Sequence, residues 1–189
     1  KTWNDALFVT VDRSFRDRWG LSVAYTLSRA QAIGGDLFSF DYPTVEDYPR
    51  HPTQDDERHR VVATGIVRLP YDFMLSSLVT LSSGLGFTVL DESRGSAIGQ
   101  KQVLLFAGRP DKALAYRSTD VRLEKMFGIG GTRRASVAAE AFNVFNATNE
   151  GCYEGFISTL PTVNPEFGKG RCVVDNSTRR FQFAVRYSF

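Results

Sequence analysis

The sequence predicts an all-β fold. It reads as about seven strands of an antiparallel up-and-down transmembrane β-barrel segment, with short turns at one end and long loops at the other. Three observations predict it. Apolar and polar residues alternate with period two in seven places, as a strand with two unlike faces requires. The connections between these runs switch regularly between tight turns and long polar segments. The runs are about 9–12 residues long, close to the 9–11 that a tilted membrane strand needs and beyond the soluble mean of about 5–6.

The elements follow in order. Leu7, Val9 and Val11 alternate with Phe8, Thr10 and Asp12. Leu21, Val23, Tyr25 and Leu27 alternate with Ser22, Ala24, Thr26 and Ser28. Val61, Ala63, Gly65, Val67 and Leu69 alternate less cleanly with Arg60, Val62, Thr64, Ile66 and Arg68. Leu75, Ser77, Val79 and Leu81 alternate with Ser76, Leu78, Thr80 and Ser82. Val121, Leu123, Lys125 and Phe127 alternate with Asp120, Arg122, Glu124 and Met126. Val137, Ala139 and Ala141 alternate with Ser136, Ala138 and Glu140. This stretch also has good helix propensity, but Asn143 and Asn146 interrupt a helical face, so strand is preferred. Last, Phe181, Phe183, Val185, Tyr187 and Phe189 alternate with Gln182, Ala184, Arg186 and Ser188. No helix sets five large apolar groups on one stripe at that spacing.

Phe15 to Trp19, Leu69 to Phe73 and Phe127 to Thr132 read as tight turns. Arg29–Glu57, Leu85–Arg117 and Ala147–Thr178 read as long loops. Three such loops argue against a compact soluble domain, whereas an outer-membrane barrel has short periplasmic turns and long extracellular loops. Counting back from a periplasmic C-terminus puts every tight turn on one side and every long loop on the other. Phe15, Trp19, Tyr71, Phe73 and Phe127 cluster at the turns, with Tyr187 and Phe189 at the chain end, as a periplasmic aromatic girdle would require.

Composition excludes several classes. The 189 residues carry a net charge of +2, too balanced for a dedicated nucleic-acid binder or a polybasic membrane-surface protein. Charged residues at 23% and hydrophobic ones at 42% argue against disorder. The longest apolar run, Val103 to Ala107, is far too short for a membrane-spanning helix. Two cysteines rule out a disulfide-dense mini-protein and a four-cysteine zinc site. Lys1 stands where a Met would, with no charged-then-apolar leader, so the chain is expected to be processed or part of something longer.

Motifs then point to a family. These are Trp19 to Ser28, Asp120 to Phe127, Ala139 to Asn146 with Asn149, Phe167-Gly168, and the ending Arg180 to Phe189. In this order the chain resembles the C-terminal part of a TonB-dependent outer-membrane receptor of the Oar-like type that carries a carboxypeptidase-regulatory-like domain. The resemblance implies a bacterial outer-membrane location, energised solute uptake, and a barrel of about 22 strands around a plug. Residues 1–189 would be the C-terminal part of that barrel, with plug and N-terminal strands absent. Partners would be outer-membrane lipid, a solute of unknown identity, the TonB system through the absent plug, and the barrel-assembly machinery. Phe181, Phe183, Val185, Tyr187 and Phe189 resemble the terminal signal that this machinery reads by strand addition.

No catalytic, cofactor or metal motif emerges, and no enzyme activity is expected. Gly128 to Arg133 begins like a dinucleotide loop but ends in Arg and lies in a strand–strand turn. Ser82-Ser83-Gly84-Leu85-Gly86 fails the nucleophile-elbow spacing. His51 and His59, with Asp55, Asp56 and Glu57 between them, meet no zinc or EF-hand spacing and read as a solvated loop. Cys152 and Cys172 lie in one expected outer loop. An oxidising exterior favours a loop-closing disulfide worth about 3 kcal/mol, although spacing alone leaves free thiols open. Asp120, Arg122, Glu124, Glu140 and Arg186 are expected to face the lumen, as water-filled lining and plug contacts more than as a substrate path. Tyr42, Tyr48, Arg50, Arg94, Arg109 and Tyr153 are loop residues able to touch a ligand. Two other readings remain: a non-transporting structural or adhesive outer-membrane barrel, and a soluble β-sandwich binding module.

Overall fold

Strands form at all seven expected places. The computed structural model describes residues 1–33, 50–54, 56–91, 103–108, 114–159, 162–174 and 177–189. The long strands are β1 (Thr2–Arg16), β2 (Trp19–Ala32), β4 (His59–Arg68), β5 (Phe73–Ser82), β8 (Tyr116–Gly130), β9 (Arg133–Phe142) and β14 (Arg180–Ser188). They form an antiparallel meander in the order β1-β2-β4-β5-β8-β9-β14, with β3 (His51–Pro52) added beside β2. The Ala-rich stretch at 138–141 is strand, paired on both sides. No helix occurs among the described residues.

The long segments are not structureless, which corrects the sequence expectation. They carry β6 (Phe87–Asp91), β7 (Val103–Gly108), β10 (Glu150–Tyr153), β11 (Phe156–Thr159), β12 (Thr162–Val163) and β13 (Gly170–Val173). Strands β12-β11-β6-β7 form a second sheet, in which β6 and β11 pair in parallel and so join two loops. Strands β10 and β13 form a two-stranded antiparallel sheet. Backbone donors in these long excursions therefore find partners in one another.

Tight turns fix the register of the main sheet. Asp17 and Arg18 both have positive φ between the paired Arg16 and Trp19. Tyr71 and Asp72 do the same between Pro70 and Phe73. Positive φ at both central residues is the hairpin geometry that matches strand twist, although neither turn uses glycine. A bulge between Arg13 and Arg16 sets Ser14 and Phe15 against Gly20. A Cβ on Gly20 would lie 3.0 Å from the Phe15 Cα, so this close approach favours glycine.

The register sorts side chains onto two faces. One row runs Leu21, Gly65, Ser77, Val121, Ala141, Phe181 across β2 to β14. The next runs Trp19, Val67, Leu75, Leu123, Ala139, Phe183. The alternate residues make a face of small and polar groups, such as the row Asp12, Ser22, Thr64, Leu78, Asp120. The second apolar row starts at the first turn and meets β14 at Phe183, short of that strand's end at Ser188. Such a stagger is what tilted strands on a curved sheet produce.

Strands β1 and β14 are the two edges and do not pair with each other, so the sheet is open. Among the described residues only Ala32, Val89, Ala115 and Ala138 are buried hydrophobics. Nothing among the described residues covers the apolar face: Leu7, Val11, Val137, Phe183 and Val185 are all exposed.

Candidate functional site

Three surfaces carry the predicted site residues. The first is the apolar face and its rim at the tight turns. Alternation in β14 points Phe181, Phe183, Val185 and Tyr187 to this face, and Tyr187 stacks on Phe189 with centroids 6.1 Å apart. Trp19, Phe73 and Phe127 also lie on it, at the turn end. Two cations share that end. The Arg13 guanidinium sits 3.8 Å from the Trp19 ring centroid. The Lys125 ammonium lies 4.9 Å from Phe73 and 5.5 Å from Phe127, and donates to the Tyr71 carbonyl. Tyr71 itself projects from its turn at 84% exposure.

Phe15 departs from the expected girdle. The bulge turns it to the opposite face, where it lines the concavity described next and the Arg68 guanidinium lies 5.6 Å from its ring. An inserted residue shifts the side-chain parity of a strand end, and residue type alone does not signal it.

The second surface is a concavity of about 690 Å³ on the polar face, lined from β1 to β9. Asp12, Ser22, Thr64, Ser76, Asp120, Arg122 and Glu140 contribute polar groups, while Ile66, Leu78 and Phe142 contribute apolar ones. Arg122 is the hub. It pairs with Glu140, directly opposite on β9, and with Glu124 at 3.1 Å. Arg186 lies on the same face, paired in register with Ser136. Four of the expected lumen charges thus share one neighbourhood. Asp120 differs: its carboxylate accepts from the Ser118 hydroxyl and the Asn143 amide, so it anchors the strand end.

The third surface is the loop layer. Cys152 and Cys172 are joined by a disulfide with Cα atoms 5.4 Å apart, across the β10–β13 pair. The Glu154 carboxylate is buried, pairs with Arg171 and accepts from the Phe156 amide at 3.0 Å. Phe87 stacks on Tyr153 at 5.4 Å and meets Phe167 edge-on at 6.1 Å, fastening one loop to another. Lys169 holds the exposed Glu166 carboxyl below its usual range through a hydrogen bond. Arg50 lies 4.3 Å over the Trp3 ring. Tyr42, Tyr48, Arg94, Arg109 and Asp55 fall outside the described residues.

Three buried polar residues at the loop roots carry more than the sequence suggested. Asn149 is fully buried and bonds both the amide and the carbonyl of Arg117, like one more strand partner. Asn143 donates to the Ala147 and Ser177 carbonyls and accepts from the Ala147 amide. Asp56 accepts from the Ser28 hydroxyl and the Ala30 amide. The cluster Asn143, Asn146, Asn149 was the available signal, because Asn serves backbone turns and tolerates positive φ.

His59 accepts or donates through Nδ1 to the Tyr25 hydroxyl at 2.9 Å. No His, Cys, Asp or Glu cluster suited to a metal occurs among the described residues. Comparison with protein-family models, with curated proteins and with solved structures finds no match to this chain.

Proposed function

We propose that this chain spans the bacterial outer membrane as part of a β-barrel, and that the intact protein is a TonB-dependent receptor for a solute. One observation carries the membrane reading: seven adjoining strands present an apolar face with no covering layer among the described residues. Soluble monomers rarely expose so large an apolar patch, and lipid is the solvent that suits it. The aromatic residues and ring-stacked cations at one end supply the interfacial anchors of such a barrel. The opposite face, with its Arg122–Glu140–Glu124 network, suits a wet interior. The receptor class rests on the motif resemblance. In that reading the disulfide-braced loops capture solute, and a plug driven by TonB rearranges to admit it without covalent chemistry.

Two measurements test this. Cell fractionation should find the protein in the outer membrane, resistant to extraction by urea or carbonate. Release into the soluble fraction would favour a β-sandwich module and refute the barrel. Deleting the gene should then remove a growth or uptake phenotype that also requires TonB. An outer-membrane protein without any TonB-dependent phenotype would be a structural or adhesive barrel.

A further inference from the structure

We propose that the tight-turn rim of the apolar face binds the phosphate headgroups of anionic phospholipid. The inference rests on the membrane reading above and goes beyond it in naming a lipid class. Strand positions on the apolar face at this end hold four cations. Arg13 and Lys125 are placed there by their register partners Leu21 and Phe73. Arg16 faces Trp19, and Arg133 follows by alternation from Ala135. No acidic strand residue shares the apolar face at this end: Glu124 points to the other side, and Asp17 and Asp72 lie within the turns.

This placement has a physical consequence. A cation on a lipid-facing strand costs about 2–4 kcal/mol at the bilayer midplane and about 0–1 near the interface. Four together suit only the height at which phosphates begin. Two of them are held there by rings. Trp19 lies under the Arg13 guanidinium, and Phe73 and Phe127 flank the Lys125 ammonium. The rings cover one side of each cation; the Arg13 side chain is 40% exposed, and the Lys125 ammonium also donates to the Tyr71 carbonyl. Asp17 lies 3.6 Å from Arg13 and 3.5 Å from Arg16, but this contact is exposed, at 70% for the Asp17 side chain, and an exposed pair competes weakly with a phosphate.

Trp19 reports on this rim directly. The intact protein carrying Trp3→Phe, compared with Trp3→Phe/Trp19→Phe, isolates the Trp19 emission by difference. It is measured in bilayers containing brominated phosphatidylcholine or, at equal mole fraction, brominated phosphatidylglycerol. We expect the anionic lipid to occupy the site next to Trp19 about fivefold more strongly, the factor one surface cation provides. The preference should shrink with added salt and with Arg16→Gln/Arg133→Gln, two exposed residues outside the ring contacts. Equal quenching by the two headgroups would overturn the lipid preference and leave the membrane reading standing. Quenching by neither would overturn both.

Discussion

Asn149 shows how one side chain closes a loop several residues long. Its amide group bonds both backbone groups of Arg117, so the polypeptide leaving β9 is tied to the start of β8. Asn149→Ala would leave a buried donor and acceptor unmet, at about 2 kcal/mol. Urea unfolding in detergent micelles should show a lower midpoint by that amount with an unchanged slope. Asp72 works in the opposite sense. It holds φ of 58° in a two-residue turn, where a β-carbon is disfavoured. Asp72→Gly should stabilise the fold by roughly 0.5–1 kcal/mol, read as a higher midpoint in the same titration. If the variant is instead less stable, the turn is held by Asp72 side-chain contacts and not by backbone geometry.

At the scale of elements, each long strand separates two environments one residue apart. Val79 and Thr80 sit at nearly the same height on β5, on opposite faces. Val79→Arg puts a charge on the apolar face, at about 2–4 kcal/mol if lipid lies there. Thr80→Arg adds one to the polar face beside a concavity that already holds Arg122. Assembly into outer membrane, followed by heat-modifiable migration on a gel, should fail for the first and persist for the second. The β10–β13 pair is a separate element with its own constraint. The disulfide closes it over a separation of 20 residues, worth about 3 kcal/mol in the chain-entropy model. Cys152→Ser/Cys172→Ser should accelerate trypsin cleavage after Lys169 and Arg171 while leaving the seven-strand sheet folded. Loss of the whole sheet would mean that the loops and the sheet fold as one unit.

At the scale of the whole molecule, the described residues bury little apolar surface. Four small or medium side chains make up the buried hydrophobic set among the described residues. Both edge strands also leave backbone groups unpaired, and in the proposed hydrocarbon setting these would need further strands for closure. Full-length protein unfolded in urea should therefore regain its β-sheet circular dichroism when diluted into detergent micelles, and aggregate when diluted into buffer. A soluble, cooperatively folded product in buffer alone would require another surface to cover the apolar face, as in a β-sandwich.

Period two carried most of the fold, because a strand's side-chain repeat is local and survives without tertiary knowledge. The seven strands, their order and their two faces were legible from Leu7 to Phe189, including the ambiguous Ala-rich stretch at 138–141. The alternation of Val121, Leu123 and Lys125 even placed Lys125 on the apolar face, although not the rings that hold it. What the tertiary structure decided was whatever depends on residues far apart in the chain. Phe15 changed faces because a bulge opposite Gly20 shifted its parity. The loops gained a sheet because β6 and β11, far apart in the chain, pair in parallel. Arg122 became a hub because register set Glu140 directly across from it. Local repeat determines which residues form a strand and which face they share. Register, bulges and loop–loop pairing are set by the free energy of the assembled sheet, and no short window of sequence contains that quantity.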